Sequence, residues 1–299
     1  MSRPPIPLAD ALREGTLVLD GGLSNQLEAQ GCDLADELWS ARLLADAPGQ
    51  LEAAHAAYVR AGARVLITSS YQASFEGFAR RGIGQAEASG LFRRSVELAR
   101  AAGERETWVA ASVGPYGAVL ADGSEYRGRY GLSVAELERF HRARIEALAE
   151  AEPDVLALET VPDIVEAQAL LRAVDGCGVP VWLSYTIAEG RTRAGQPLAD
   201  AFALAAGNDQ VIAVGVNCCA AAEVEHAITV AASQTRKPVV VYPNSGERWD
   251  PDRAAWRGTP TFDPALLSGW RGAGARLIGG CCRVGPDCIA ELAAELEKQ

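Results

Sequence analysis

Eight short apolar runs punctuate the chain, and each is followed by a stretch with helical spacing. The runs are TLVLDGG from Thr16, ARVLITSSY from Ala63, TWVAASVGP from Thr107, DVLALET from Asp154, VPVWLSYTI from Val179, VIAVGVNCC from Val211, KPVVVYPNSG from Lys237 and ARLIGGCC from Ala275. Most are near-continuous in Val, Ile, Leu and Ala, which is the pattern of parallel strands covered on both faces. Good helix formers fill residues 85–104, 133–152, 164–175 and 221–235 between them. Ser133 and Glu136 make a capping-box pattern at one helix start, and Pro286 suits the first turn of the last helix. Eight strand-then-helix units predict an α/β fold, a (β/α)8 TIM barrel, as a single domain over residues 1–299. An open doubly wound sheet would more naturally carry a phosphate loop after its first strand, and DGGLSNQLE lacks the G-x-G-x-x-G pattern.

Two segments exceed ordinary connections. SYQASFEGFARRG follows the second run, and GPYGAVLADGSEYRGRYG follows the third. Connections of that length are functional or disordered, and Tyr116, Tyr126 and Tyr130 argue against disorder.

In such barrels the active site stands at the C-terminal ends of the strands. There the sequence places Asp20-Gly21-Gly22, Thr68 to Tyr71, Glu159-Thr160, Tyr185-Thr186, Asn217-Cys218-Cys219, Tyr242 to Asn244 and Gly279 to Cys282. Four of the seven cysteines therefore share one rim. The chain shows no export signal and its cysteine count is odd, so a disulfide framework is not expected. Three thiolates suit a catalytic zinc with one open position. Packing as small apolar side chains is the other role open to buried cysteines. Gly279-Gly280 gives the backbone freedom for adjacent Cys281 and Cys282 to share a metal, whereas alternation along a strand leaves the choice between Cys218 and Cys219 open. Cys32, Cys177 and Cys288 lie away from the rim and read as structural.

Asp20 and Glu159 are candidates to bind the ammonium of an amino acid, with the backbone N–H groups of Gly21 and Gly22 beside them. For Asp20 the competing role is a cap on the following helix. The three histidines, His55, His141 and His226, fall in helical segments, which disfavours histidine chemistry. Tyr71, Tyr116, Tyr126, Tyr185 and Tyr242 are near the rim, where ring faces attract onium cations.

The net charge of −11 disfavours nucleic acid as a partner. No apolar run approaches the ~18–20 residues that cross a bilayer, so a cytoplasmic protein without membrane contact is expected.

The strings LDGGLSNQLEAQGCDLADELWSA, ITSSYQAS, SVGPYGAVLADGSEYRG, LALETVPD, VGVNC, VVVYPNSGE and ARLIGGCCRVGPDCI resemble the zinc-dependent homocysteine S-methyltransferases over essentially the whole chain. The LADGSEYRG and YPNSGE stretches are most similar to the S-methylmethionine-type branch. The resemblance implies Zn2+ held by Cys218, Cys281 and Cys282, which also serve catalysis, and excludes Cys219. It places Asp20, Gly21, Gly22 and Glu159 at the homocysteine site. It implies methyl transfer from a sulfonium, with S-methylmethionine favoured over S-adenosylmethionine, to homocysteine, giving methionine. The betaine-using branch has an aromatic residue after the matching glutamate; Thr160 stands here. The alternatives are a selenocysteine or other thiol or selenol methyltransferase and, from another class, a non-enzymatic zinc or thiol redox sensor.

Overall fold

The computed structural model describes residues 3–36, 38–250 and 255–298. Its strands are β1 (Leu17–Val18), β2 (Val65–Ile67), β3 (Trp108–Val113), β4 (Val155–Val161), β5 (Val181–Tyr185), β6 (Val211–Asn217), β7 (Val239–Tyr242) and β8 (Ala275–Ile278). They pair in parallel in the order β1-β8-β7-β6-β5-β4-β3-β2. A parallel bridge between Leu19 and Val65 joins the two outer strands and closes the sheet. The expected (β/α)8 barrel is therefore the fold. Two small antiparallel hairpins, Ile187–Ala188 with Arg191–Thr192 and Arg248–Asp250 with Ala255–Arg257, ornament its mouth and have no counterpart among the expected elements.

Both faces of the strands are buried, which is why their sequences read as unbroken apolar runs. Inward-facing Leu19, Val65, Ala110, Ala157, Trp182, Ala213, Val240 and Leu277 form one cluster, one residue from each strand or its immediate end. The alanines at 110, 157 and 213 leave room for Trp182 and Tyr242, whose rings meet edge to face at 6.3 Å. Trp182 Nε1–H donates to the Tyr242 hydroxyl at 3.1 Å, so the one polar atom of the large indole is satisfied. The N-terminal helix Leu8–Glu14 adds Leu8, Ala11 and Leu12 to this cluster. The Trp108 indole donates to the Ile6 carbonyl at 3.0 Å, fixing that segment. Outward-facing Val18, Leu66, Val109, Leu156, Leu183, Val214, Val241 and Ile278 form the second, larger core against the surrounding helices.

The helices end where the sequence supplies a stop. The expected helix over 85–104 runs Gln85–Ala102 and stops at Gly103. Ser133 and Glu136 make the capping box of Val134–Ala149. Asp163 caps Ile164–Ala173 through the Val165 N–H. The segment 221–235 opens as a 3-10 turn, Ala221–Glu223, and continues as Val224–Thr235. Pro286 begins Pro286–Glu297. The long connection after β3 is ordered, containing the helix Tyr116–Leu120 and the turn Ser124–Tyr126. Among the described residues no helix is long and apolar enough to cross a membrane.

Trp182 is fully buried at the centre of the barrel. Trp182→Ala is expected to destabilise the fold by about 3–5 kcal/mol, as large-to-small core changes do. Urea unfolding followed by circular dichroism checks this, and a loss below about 1 kcal/mol would contradict a tightly packed interior.

Candidate metal and substrate site

The end of β6 is shaped by Asn217. Its buried amide accepts from the Thr160 N–H and the Ser184 hydroxyl, each at 2.8 Å, and donates to the Thr160 hydroxyl at 2.7 Å. The ends of β4, β5 and β6 are thus tied by one side chain. The next residue, Cys218, adopts φ +49°, a left-handed conformation uncommon for a non-glycine residue. Its N–H donates to the Tyr242 carbonyl and its carbonyl accepts from the Thr186 hydroxyl. This turn resolves the choice that strand alternation leaves open: Cys218 lines the mouth cavity, and Cys219 packs into the outer core.

Cys281 and Cys282 are held by the neighbouring turn after β7. The Cys281 N–H donates to the Pro243 carbonyl at 2.8 Å, and the Cys282 N–H to Asn244 Oδ1 at 3.1 Å. The sulfurs of Cys218, Cys281 and Cys282 all lie within 4.8 Å of one another, with Cys218 and Cys282 at 3.9 Å. That is far beyond a disulfide bond of ~2.05 Å, and the cysteines are free thiols. Two thiols donating to Cys282 hold it well below the ordinary thiol range. The other cysteines behave as the sequence implies: Cys32, Cys177 and Cys288 are outside this cluster.

Two glycines allow the strand ends to approach. A Cβ on Gly22 would stand 2.6 Å from the Cys281 carbonyl, and one on Gly280 would stand 2.1 Å from the Val284 side chain. The Gly22 N–H donates to the Val284 carbonyl at 2.9 Å, so it is engaged within the chain. The Tyr58 hydroxyl sits 3.0 Å from the Gly22 carbonyl and 3.2 Å from that of Val284, clasping the first and last turns together.

Glu159 stands on the cavity wall, 5% exposed. Burial lifts its pKa to about 7, against the pull of hydrogen bonds from Ser112 and Tyr242. Ser112 Oγ donates to Glu159 Oε1, and its own N–H donates to Thr68 Oγ1 at 3.0 Å. Asp20 is set back from the cavity, behind Gly21 and Ile67, both of which line it. Asp20 Oδ2 accepts the Ile67 N–H at 2.8 Å, while its Oδ1 is buried with no partner. Burial first, and the charge of Glu159 after it, raise the Asp20 pKa well above the usual carboxylate range. Asp20 is not a helix cap: Gly22 occupies that position before Leu23–Ala29.

The long connection over residues 116–130 is pinned by a fully buried carboxylate, Glu166. It accepts from the Tyr116 N–H, from the Tyr130 hydroxyl at 3.1 Å and from His141 Nε2 at 2.9 Å. Burial keeps the His141 pKa below its ordinary value, so the neutral ring donates. Pinned in this way, the connection brings Glu125 and Tyr126 to the cavity, and the Tyr126 hydroxyl lies 3.8 Å from Cys218 Sγ. The Arg193 guanidinium lies 5.5 Å from the Tyr126 ring centroid.

Of the five rim tyrosines, Tyr71, Tyr126 and Tyr242 line the cavity, whose volume is about 430 Å³. Tyr185 instead points outward and bonds the Ala201 carbonyl, and Tyr116 stacks edge-on with Tyr130 and Phe140. Among the described residues no lysine, arginine or histidine lines the cavity. Sequence reasoning missed Glu125 and Glu166, and it placed Asn217 and Asn244 at the rim without giving them a role. Asn217 carried a signal in its place beside Cys218; Glu166 carried none, because its partners lie up to 50 residues away.

The sequence profile described as homocysteine S-methyltransferase matches residues 17–296. A homocysteine S-methyltransferase of Bacillus subtilis is 43% identical over 295 residues, covering 93% of each chain. A selenocysteine Se-methyltransferase of Brassica oleracea var. italica is 39% identical, covering 92% of this chain and 87% of its own. The crystal structure of the homocysteine methyltransferase MmuM from Escherichia coli in its metallated form superposes with a TM-score of 0.86 at 44% identity, covering 95% of this chain and 99% of that one. With matches that span the barrel from its first strand to its last helix, the chain belongs to the homocysteine S-methyltransferase family.

Proposed function

We propose that this homocysteine S-methyltransferase takes its methyl group from a sulfonium, S-methylmethionine, and that Cys218, Cys281 and Cys282 hold the zinc ion that the reaction uses. The observation that carries the metal reading is the convergence of three thiols within 4.8 Å at the cavity. An all-thiol donor set of three suits zinc and leaves one tetrahedral position for substrate. When bound, zinc would keep the homocysteine sulfur as a thiolate at neutral pH, where a free thiol of pKa ~8.5 is mostly protonated.

The chain's own side chains supply binding and alignment. Glu159 faces the cavity and accepts the homocysteine ammonium, and Asp20, set back behind Gly21 and Ile67 with its Oδ1 unpaired, backs this acidic end of the site. Gly21 lines the cavity at this point, and Gly22 shapes it through the close approach to Cys281. Tyr71 and Tyr126 offer ring faces to an onium cation, each worth ~0.5–2 kcal/mol. A sulfonium leaves as a neutral thioether and needs no proton, in keeping with a cavity without histidine. In-line placement of thiolate, methyl and leaving sulfur is then the main demand on the protein. The 39% identity to a selenocysteine Se-methyltransferase favours a second reading, in which a selenol is also accepted. Side-by-side kinetics with homocysteine, selenohomocysteine and selenocysteine separate the two.

Atomic emission on the purified protein is expected to find about one zinc per chain. Cys281→Ser should lose the metal together with methyl transfer to homocysteine. Full transfer by metal-free protein would overturn the mechanism.

Glu159 also predicts a pH dependence. Its pKa in the folded protein, about 7, is raised above the ordinary 4.5. Its contribution to the stability of the empty protein is therefore present below about pH 4.5 and lost as pH rises through about 7. An ammonium bound beside it stabilises the ionised form and reverses that loss. The rise in melting temperature on adding methionine should grow from about pH 6 to about pH 8, and Glu159→Gln should flatten it. A methionine effect that is independent of pH in the parent protein would show that Glu159 does not meet the ammonium.

A further inference from the structure

Glu125 is a carboxylate at the cavity to which the mechanism above gives no role. It enters on the connection after β3, one residue before Tyr126, whose hydroxyl lies 3.8 Å from Cys218 Sγ. Its Oε2 is buried and has no hydrogen-bond partner. Glu28, which also lines the cavity, accepts from Asn25 Nδ2 at 3.2 Å. A buried acceptor left unpaired is destabilising, and more so when it is charged. Among the described residues the cavity wall holds no cationic side chain to relieve it. Burial, reinforced by Cys218, accordingly raises the Glu125 pKa. Glu125 and Glu159 reach the cavity from different segments, the connection after β3 and β4 itself, and Tyr71 feels the charge of both. The anchor at Glu166 holds the segment carrying Glu125 in this position before any substrate arrives.

We propose that Glu125 determines donor specificity by accepting hydrogen bonds from the α-ammonium of an amino-acid sulfonium. The inference rests on the reading that the donor is a sulfonium. The orphan oxygen needs an N–H donor, and a sulfonium centre has none to offer. A carboxylate pressed against the sulfonium itself would stabilise a charge that disappears as the methyl group leaves, and so would oppose transfer. Against the ammonium, it stabilises a charge that is unchanged throughout the reaction. That interaction tightens binding without raising the barrier. The acidic cavity then holds two ammonium groups on two separate carboxylates: that of the acceptor at Glu159 and that of the donor at Glu125.

The test compares S-methylmethionine with dimethylsulfoniopropionate, a dimethylsulfonium acid without an ammonium, in the zinc-loaded parent protein, Glu125→Gln and Glu125→Asp. Steady-state kinetics are paired with calorimetric binding and zinc content. Glu125→Gln is expected to raise KM and Kd for S-methylmethionine by on the order of 10- to 100-fold, the loss of a charge-assisted hydrogen bond. Kcat, zinc content, the KM for homocysteine and the KM for dimethylsulfoniopropionate should stay near the parent values, and Glu125→Asp should recover part of the S-methylmethionine affinity. Equal weakening of both donors, or a shift in the homocysteine KM instead, would overturn the assignment. So would an active Gln variant with the parent KM for S-methylmethionine. A parent protein that uses neither sulfonium would overturn the donor reading itself, and the assignment with it.

Discussion

The buried amide of Asn217 holds the two halves of the site together. It bonds the backbone and hydroxyl of Thr160, next to Glu159, and itself immediately precedes Cys218. Thr160 and Cys218 both adopt left-handed backbone conformations, φ +57° and +49°. Conformations of that kind cost about 1–3 kcal/mol each and persist only where surrounding contacts over-determine them. Here the over-determination is visible. The Asn217 Oδ1 takes two donors, Ser184 is one of them, and the Thr186 hydroxyl caps the Cys218 carbonyl. The carboxylate and the thiol are thereby turned toward the same cavity by one polar side chain. The apolar packing of the barrel beneath supplies the stiffness against which that side chain works.

The electrostatics of the site follow from what is withheld from it. Asp20, Glu159 and Glu125 are removed from water to different degrees, and no cationic side chain among the described residues lines the cavity to neutralise them. Desolvation therefore dominates their pKa values and leaves the empty protein holding poorly compensated acids. A ligand carrying positive charge is the natural complement, and it gains more from these groups than it would from carboxylates already paired to arginine. The same logic explains why Glu166 differs. It is fully buried, but three donors satisfy it, so it holds structure together and leaves no demand for a ligand.

The barrel was legible in the sequence because its strands are buried on both faces, so their apolar runs are continuous and hard to mistake. Helix limits were legible where caps carry chemical signatures, as at Ser133 and Pro286, whereas the helix expected over 85–104 stops short, at Gly103. Within the rim, legibility failed wherever the chain leaves regular geometry. Alternation could not choose between Cys218 and Cys219, because a left-handed residue sits at that point and alternation no longer applies. Gly22 was read as a donor of its N–H, but that N–H is bound to Val284, and the residue matters for its missing side chain. Tyr116 and Tyr185 share the rim in sequence yet turn away from it, since each finds packing in the outer layer. Glu166 and Glu125 gave no sign, because nothing periodic marks a carboxylate whose partners, or whose lack of them, are set by distant segments.

The clasp of Tyr58 across Gly22 and Val284 joins the first barrel turn to the last. Two of the three clustered thiols, Cys281 and Cys282, follow β8, the last of the described strands, and precede the helix Pro286–Glu297. A chain still emerging from the ribosome thus exposes Cys218 long before it can complete the thiol cluster. A chain clipped ahead of Cys281 would keep Cys218 and lack the other two thiols of the cluster.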